Sequence, residues 1–260
     1  MAFDLNNFVI DRILRGVALS QKDDSVLFSI NQIQNASLNC ASESTDAVDA
    51  LGTPIATFFR SKSAEFSAEN ALFDMNLMAT QLGTSKKIAS AAKKITAPAM
   101  ESFTVAEGGK YELKHSPKVA PVEIYALNGD STFGTKYAKA TAASATEFSI
   151  ADKTISLPTG VAVGTDMFVM YEYETENAVE VVNSATEFPV GCKFVMEVLG
   201  CDVCDQTTLI HAYVIFNNFK LSPDFDWSIA TDSTHPFSGK AQQDYCDKEK
   251  RLFSIVISEE

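Results

Sequence analysis

Between Asp49 and Gly83 the apolar positions change rhythm twice. Gly52-Thr53-Pro54 is a turn signal, because glycine permits unusual backbone angles and proline fixes its own. From Ile55 to Phe66, β-branched and aromatic residues mix with Arg60, Lys62 and Glu65. That gives strand propensity without a clean apolar face. A strand charged on parts of both faces is half exposed or lies against another subunit. Ser67 then reads as a helix N-cap and Glu69 as an acid at the positive helix end. Ala68, Leu72, Met75, Ala79 and Leu82 recur at spacings of three and four, so the pattern predicts a helix over 68–82, stopped by Gly83.

Upstream, Leu5, Phe8, Val9, Ile13, Leu14 and Val17 fall near helical spacing, which reads as a short helix or an arm over Phe3–Leu19, although Gly16 weakens the helix. Ser25–Ile30 is a strand with Val26, Phe28 and Ile30 on one face. Uncharged amides then alternate around Ile33 and Leu38, as in a strand facing water or a lumen, or in a solvated edge strand or loop. Ala41–Ala50 reads as an acidic loop of small residues. After Gly83 come two lysine pairs, Lys86/Lys87 and Lys93/Lys94, on a helical turn or loop. They read as a solvated face or as partners for acidic residues of a neighbouring subunit.

From Glu101 to Phe188 short strand-like runs are punctuated by turn residues: Gly108-Gly109, Asn128-Gly129 and Asp152-Lys153 each signal a hairpin. In the run from Asp166, Val169, Tyr171 and Tyr173 oppose Phe168, Met170 and Glu172. This close spacing predicts a small β-sandwich and leaves no room for crossover helices. Longer apolar strands follow from Cys192, Thr207 and Leu252. The second of these alternates apolar residues on both faces and is therefore central in its sheet, and the last closes that sheet.

Composition fits such a core. The chain has 260 residues, 46% hydrophobic and 21% charged, with 18 phenylalanines and one tryptophan. Its net charge of −13 excludes a phosphate-gripping surface, and it suits a wall that DNA slides past without sticking. Residues 1–100 contribute only −1 of that charge, while 101–185 and 186–260 contribute −6 each. No basic n-region precedes the first apolar residues, and no apolar run is long enough to span a bilayer. Five scattered cysteines read as reduced thiols of a cytoplasmically made protein.

Chemistry-bearing motifs are sparse. Cys201-x-x-Cys204 has metal-like spacing but lacks a second pair of ligands. His211 sits among apolar residues and reads as a hydrogen-bonded core histidine. Asp224, Asp226 and the alternating Glu172, Glu174 and Glu176 fit no calcium loop or acid/base pattern, and Gly108-Gly109 lacks the lysine of a phosphate loop. The sequence therefore gives no enzyme, cofactor or metal expectation.

The order Gly52, Pro54, Ile55, Ala56, Phe58, Arg60, Lys62, Ala64, Phe66, Ser67, Asn70, Ala71, then Gln81 and Gly83, resembles the tail tube (major tail) proteins of bacteriophages. The stretches NNFVIDRILRG and FSINQIQNASLNCA near the start are similar to the beginnings of such proteins. The ending PFSGKAQQDYCDKEKRLFSIVISEE is similar to their helix-like segment plus final strand. The resemblance covers residues 1–99 and about 183–260. It implies a mainly β fold: a tail-tube-type β-sandwich or barrel from 1–100 and 183–260, with one flanking α-helix. Residues 101–182 depart from the minimal pattern and read as an inserted, Ig-like β-sandwich. It further implies six-membered rings made by joining inner sheets into one barrel, stacked into the tube through which DNA is ejected, an architecture shared with the type VI secretion tube. Implied partners are further copies of the chain, the tape measure and terminator proteins and, in contractile tails, a sheath. DNA passes without specific binding and no membrane is involved. The protein is then a virion component assembled in the host cytoplasm.

On this reading Ile55, Phe58, Phe59, Arg60, Lys62 and Phe66 form the subunit interface, and Gln32, Gln34 and Asn39 face the lumen. The competing reading is an acidic Ig-like adhesin or binding module recognising a surface sugar or protein. The absence of a secretion signal and of an exposed aromatic cluster in the sequence argues against it.

Overall fold

The computed structural model describes residues 7–121, 123–245 and 248–258. In chain order the strands are β1 (Phe8–Ser20), β2 (Val26–Ile30), β3 (Ile33–Val48) and β4 (Pro54–Asn70), followed by helix α1 (Met75–Gln81). Then come β5 (Lys87–Ile88), β6 (Ile95–Thr104), β7 (Lys110–Glu112), β8 (Pro117–Val119), β9 (Glu123–Leu127), β10 (Phe133–Lys139), β11 (Glu147–Ala151), β12 (Thr154–Ser156), β13 (Asp166–Thr175) and β14 (Val179–Glu180). The chain ends with β15 (Gly191–Asp202), β16 (Leu209–Leu221), β17 (His235–Ala241) and β18 (Ser254–Ser258). The protein is mainly β, and α1 is the one α-helix among the described residues. It divides into two compact units: Met1–Lys86 with Val181–Glu260, and Lys87–Glu180.

Unit 1 is an antiparallel sheet in the order β2-β1-β15-β16-β17-β4-β3, with β18 beside β16. As its two-sided apolar pattern predicts, β16 is central, paired with β15 on one side and with β18 and β17 on the other. The core is a cluster of phenylalanines. Phe66 lies 5.7 Å from Phe194, 5.9 Å from Phe216, 6.3 Å from Phe219 and 6.0 Å from Phe237, ring centre to ring centre. Phe28 of β2 also meets Phe194, at 6.1 Å, so β2 and β4, from opposite halves of the pairing order, share one core. Burying each such ring contributes about 1.5–3 kcal/mol.

The N-terminal segment is a strand, not a helix, and Leu5 lies outside the described residues. Register shifts between Ile10 and Arg12 and between Ile13 and Arg15 mark bulges in its pairing with β15. Each bulge adds a residue, so a period of two is stretched locally to three and imitates helical spacing. Gly16 is a packing residue: a Cβ there would stand 2.8 Å from Ile33 Cδ1 and 3.0 Å from Phe194 Cζ.

The helix is shorter than its apolar stripe. Ser67 is no cap: it sits in mid-strand, paired with Ser238 on one side and Ser37 on the other. Asp74 caps instead, its Oδ1 accepting from the amides of Asn76 (2.9 Å) and Leu77 (2.7 Å). Ala64, Phe66, Ala68 and Asn70 are all buried and follow a strand period, which overrides the helical spacing of Ala68. Gly83 does stop the helix: its φ is +72°, and a Cβ would meet the Phe188 carbonyl carbon at 2.2 Å.

His235, fully buried, ties α1 to β17. Gln81 donates to the Pro236 carbonyl (3.1 Å), which turns its Oε1 toward His235 Nε2 (2.8 Å). Nε2 must therefore carry the proton, and Nδ1 accepts the Asp74 amide (3.3 Å). Burial holds this imidazole below its usual range, only partly opposed by the nearby Asp74 carboxylate. With a depressed folded value, the stabilisation is complete above the unfolded pKa of about 6.5 and is lost as pH falls through the folded value. Lowering pH from 7.5 to 5.5 is therefore expected to lower the melting temperature of unit 1. His235→Gln should flatten that slope; equal slopes in the two proteins, followed by circular dichroism, would remove His235 as the cause.

Unit 2 is a second sheet, β6-β13-β9-β10-β11-β12-β7 with β8 also beside β13, plus the short β14-β5 pair. The β9–β10 and β11–β12 hairpins form where Asn128-Gly129 and Asp152-Lys153 signal them. Gly108-Gly109 turns the chain with positive φ at both residues, but β6 and β7 do not pair with each other; they join β13 and β12. Its separate core holds Ile124, Phe148, Ile155, Met167 and Val169. At the core's edge the buried Glu101 accepts from the Tyr171 hydroxyl, the Tyr111 hydroxyl (2.7 Å) and the Lys114 amide (3.1 Å). Burial pushes this carboxyl up, but those three donors outweigh it and hold it below its usual range.

Candidate assembly surface

Two strands leave the core of unit 1 together. β17 pairs with β4 only from Ala64 to Asn70, whereas β3 and β4 stay paired out to Val48 and Pro54. Beyond Ala64 the hairpin has no third strand among the described residues, and every residue of Ala41–Val48 and Pro54–Ser63 is exposed. At about 3.3 Å per residue this arm reaches roughly 30 Å. The expected loop over Ala41–Ala50 is mostly strand, because β4 supplies it with a ladder.

Local chemistry shapes the arm. At the tip Asp49 Oδ1 accepts from the amides of Leu51 and Thr53, both at 2.8 Å, and these bonds hold its carboxyl below the usual range. Gly52 adopts φ +85° and its amide donates to the Asp49 carbonyl. Along the ribbon, Thr57 Oγ1 donates to Asp46 across the strands at 2.7 Å. A bulge at Ser61, φ +51°, lies between Arg60, opposite Glu43, and Lys62, opposite Ser42.

Successive side chains of a strand point to opposite faces. Phe58 and Phe59 thus crown opposite faces of the ribbon, at 56% and 71% exposure, and Ile55, the extra residue where the pairing shifts between Pro54 and Ala56, is 72% exposed. Arg60 and Lys62 are exposed beside them and make no ion pair among the described residues. A lone two-stranded hairpin is marginal in water, and contiguous exposed apolar side chains mark interaction surfaces.

The sixth expected interface residue belongs elsewhere. Phe66 is 2% exposed and is the hub of the unit 1 core, because the strand runs on past Ser63 into the sheet and turns its even-numbered residues inward. Of the expected lumen residues, Gln32 lies in the bend before β3, and Gln34 and Asn39 lie on β3; all three are exposed. Ile33 is buried and Leu38 packs on the core, so the amides take the outer side.

Other sequence candidates disperse. His211 is not a core residue; it is part-exposed on the outer sheet face, bonded to Glu197 Oε1 at 2.9 Å, and Glu197 also takes Arg15. Lys87 and Lys94 pair with Glu180 (3.2 Å) and Glu176 (3.4 Å) of their own chain. Cys201 ends β15, Cys204 lies in the following turn, and among the described residues no three His, Cys, Asp or Glu side chains converge as metal ligands. Residues 242–245 and 248–253 form no helix in place of the expected C-terminal helix-like segment, and Cys246 and Asp247 lie outside the described residues.

A protein-family profile, YomU/Tube, matches residues 8–255, nearly the whole chain. The chain belongs to the YomU/Tube protein family. This is a phage-associated, tube-like family, in keeping with the tail-tube resemblance of the sequence, and it places the chain among tube-type structural proteins. The YomU/Tube match spans both units, so Lys87–Glu180 falls within the matched range. No curated protein matches the chain. No helix among the described residues is long and apolar enough to cross a membrane.

Proposed function

We propose that the chain polymerises into stacked hexameric rings that form a phage tail tube, the conduit for DNA ejection. The observation that carries this reading is the β3–β4 arm: about 30 Å of paired strand with exposed aromatic side chains on both faces and no covering layer among the described residues. A second copy is the natural cover, since a repeated contact between unlike surfaces closes a ring when its rotation allows. The edges of the unit 1 sheet support the same reading. The path ends in β2 and β3, which have no further strand beside them among the described residues, and edge-to-edge joining of six sheets would use both. A net charge of −13 suits a lumen that DNA must traverse without being gripped, and Gln32, Gln34 and Asn39 are offered as part of that lining. No catalytic step belongs to this function. The tape measure, the terminator and a sheath in contractile tails are the partners it implies. Negative-stain microscopy of the concentrated protein is expected to show rings or tubes, and a protein that stays monomeric at high concentration refutes the proposal.

A further inference from the structure

The solvent face of unit 2 gathers aromatic rings that lie far apart in sequence. β13 pairs Phe168 opposite Tyr125 of β9, and β10 brings Phe133 opposite Leu127. Phe133 sits 5.1 Å from both Tyr125 and Phe168, tilted against each, and remains 60% exposed. This is the exposed aromatic cluster that the linear sequence does not display. Beside it runs a groove of about 480 Å³ whose polar lining includes Ser102, Thr104, Asn128, Ser131 and Asp166. That volume lies within the range of small-molecule sites, which combine apolar or aromatic walls with a few convergent polar groups.

The lining selects among ligands. Asp166 is its one charged side chain, and its Oδ1 already accepts from Thr104 Oγ1 at 2.6 Å, which fixes the carboxylate's orientation. The nearby Lys136 is neutralised by Glu123, which also accepts from the Tyr125 hydroxyl at 2.5 Å. A phosphate, sulfate or uronic acid would therefore meet a carboxylate and no free cation. β9 and β13 are each paired on both sides, so these two inner strands of the groove offer no backbone edge to an extended peptide. What fits is a ligand with an apolar C–H face for an aromatic ring, whose face is the negative side of its quadrupole, and with hydroxyls around its rim for amide, hydroxyl and carboxylate partners.

We propose that this groove binds a neutral saccharide, with Phe133 as the stacking platform and Asp166 and Asn128 as hydroxyl partners. The groove belongs to unit 2 and the assembly arm to unit 1, and the proposal does not depend on tube formation.

Saturation-transfer NMR of the full chain with maltohexaose, cellohexaose and chitohexaose as neutral probes, and a heparin hexasaccharide as acidic control, tests it. Transfer from at least one neutral probe is expected, with none from heparin. Phe133→Ala should weaken that binding at least tenfold and Asp166→Asn severalfold. Both residues are solvent-facing, so the melting temperature should stay at the wild-type value, and Asp166→Asn serves as the readout should Phe133→Ala lower it. No transfer from any neutral probe at millimolar concentration overturns the proposal. So does transfer that both variants leave intact, or transfer from heparin alone. Tube formation by Phe133→Ala, followed by microscopy, keeps this result separate from the assembly reading.

Discussion

Replacing Phe58 and Phe59 together by aspartate is expected to leave a folded monomer that forms neither rings nor tubes. The two rings sit on opposite faces of an arm that pairs with no third strand among the described residues, and both are mostly exposed, so their loss removes little intrachain packing. Surface substitutions of this kind change stability by only about 0.5 kcal/mol either way. At an interface the same rings count heavily: buried aromatic anchors contribute about 2 kcal/mol or more apiece, and each 1.4 kcal/mol is about tenfold in affinity. Burying an unpaired carboxylate in place of each ring adds a desolvation penalty. Two such losses at every contact of a polymer should shift assembly beyond any accessible concentration. Light scattering after size exclusion and negative-stain microscopy measure the loss, and thermal melting measures the retained fold. Tubes that persist in the variant would show that the arm is not the interface, whereas loss of the monomer's melting transition would show that the arm packs on its own chain.

The sequence makes the arm visible through a defect. Its mixture of apolar and charged residues on both faces is a poor strand pattern for a monomer, and the reason is that both faces are solvent-exposed in the single chain. The turn at Gly52 and the hairpins at Asn128-Gly129 and Asp152-Lys153 are legible because they depend on two or three adjacent residues. Elements failed where a tertiary effect altered the local period. Bulges in β1 stretch its alternation into helix-like spacing, and Phe66-x-Ala68-x-Asn70 stays a strand because β17 and β3 hold it on both sides. In the same way, His211 looks buried by its neighbours in sequence, yet the face it shares with Arg15 and Glu197 is the outer one. His235, preceding a proline in a turn-rich stretch, carries no pattern that announces its burial, because α1 covers it from a distant part of the chain. The aromatic groove of unit 2 was illegible for a related reason: Tyr125, Phe133 and Phe168 meet only after β9, β10 and β13 pair.

Phe66, eight residues along the same strand from Phe58, should behave in the opposite way. Phe66→Ala is expected to destabilise unit 1 by about 3–5 kcal/mol, the usual cost of a phenylalanine deleted from a packed core. That is a large share of the 5–15 kcal/mol that stabilises a typical domain. The cost should fall at the upper end of that range, because the ring touches Phe194, Phe216, Phe219 and Phe237, which come from three further strands and cannot all close in on one void. Phe66→Asp places a carboxylate among those rings with no cation in the cluster to meet it, and should prevent unit 1 from folding. Unit 2 has its own core, with none of these residues in it, so a melting transition from Lys87–Glu180 should survive. Denaturant unfolding with limited proteolysis separates the two outcomes: Phe66→Asp should leave a resistant fragment from unit 2, and Phe58→Asp with Phe59→Asp should leave both units resistant. A Phe66→Asp protein that melts like the wild type while failing to assemble would return Phe66 to the interface and contradict the core described here.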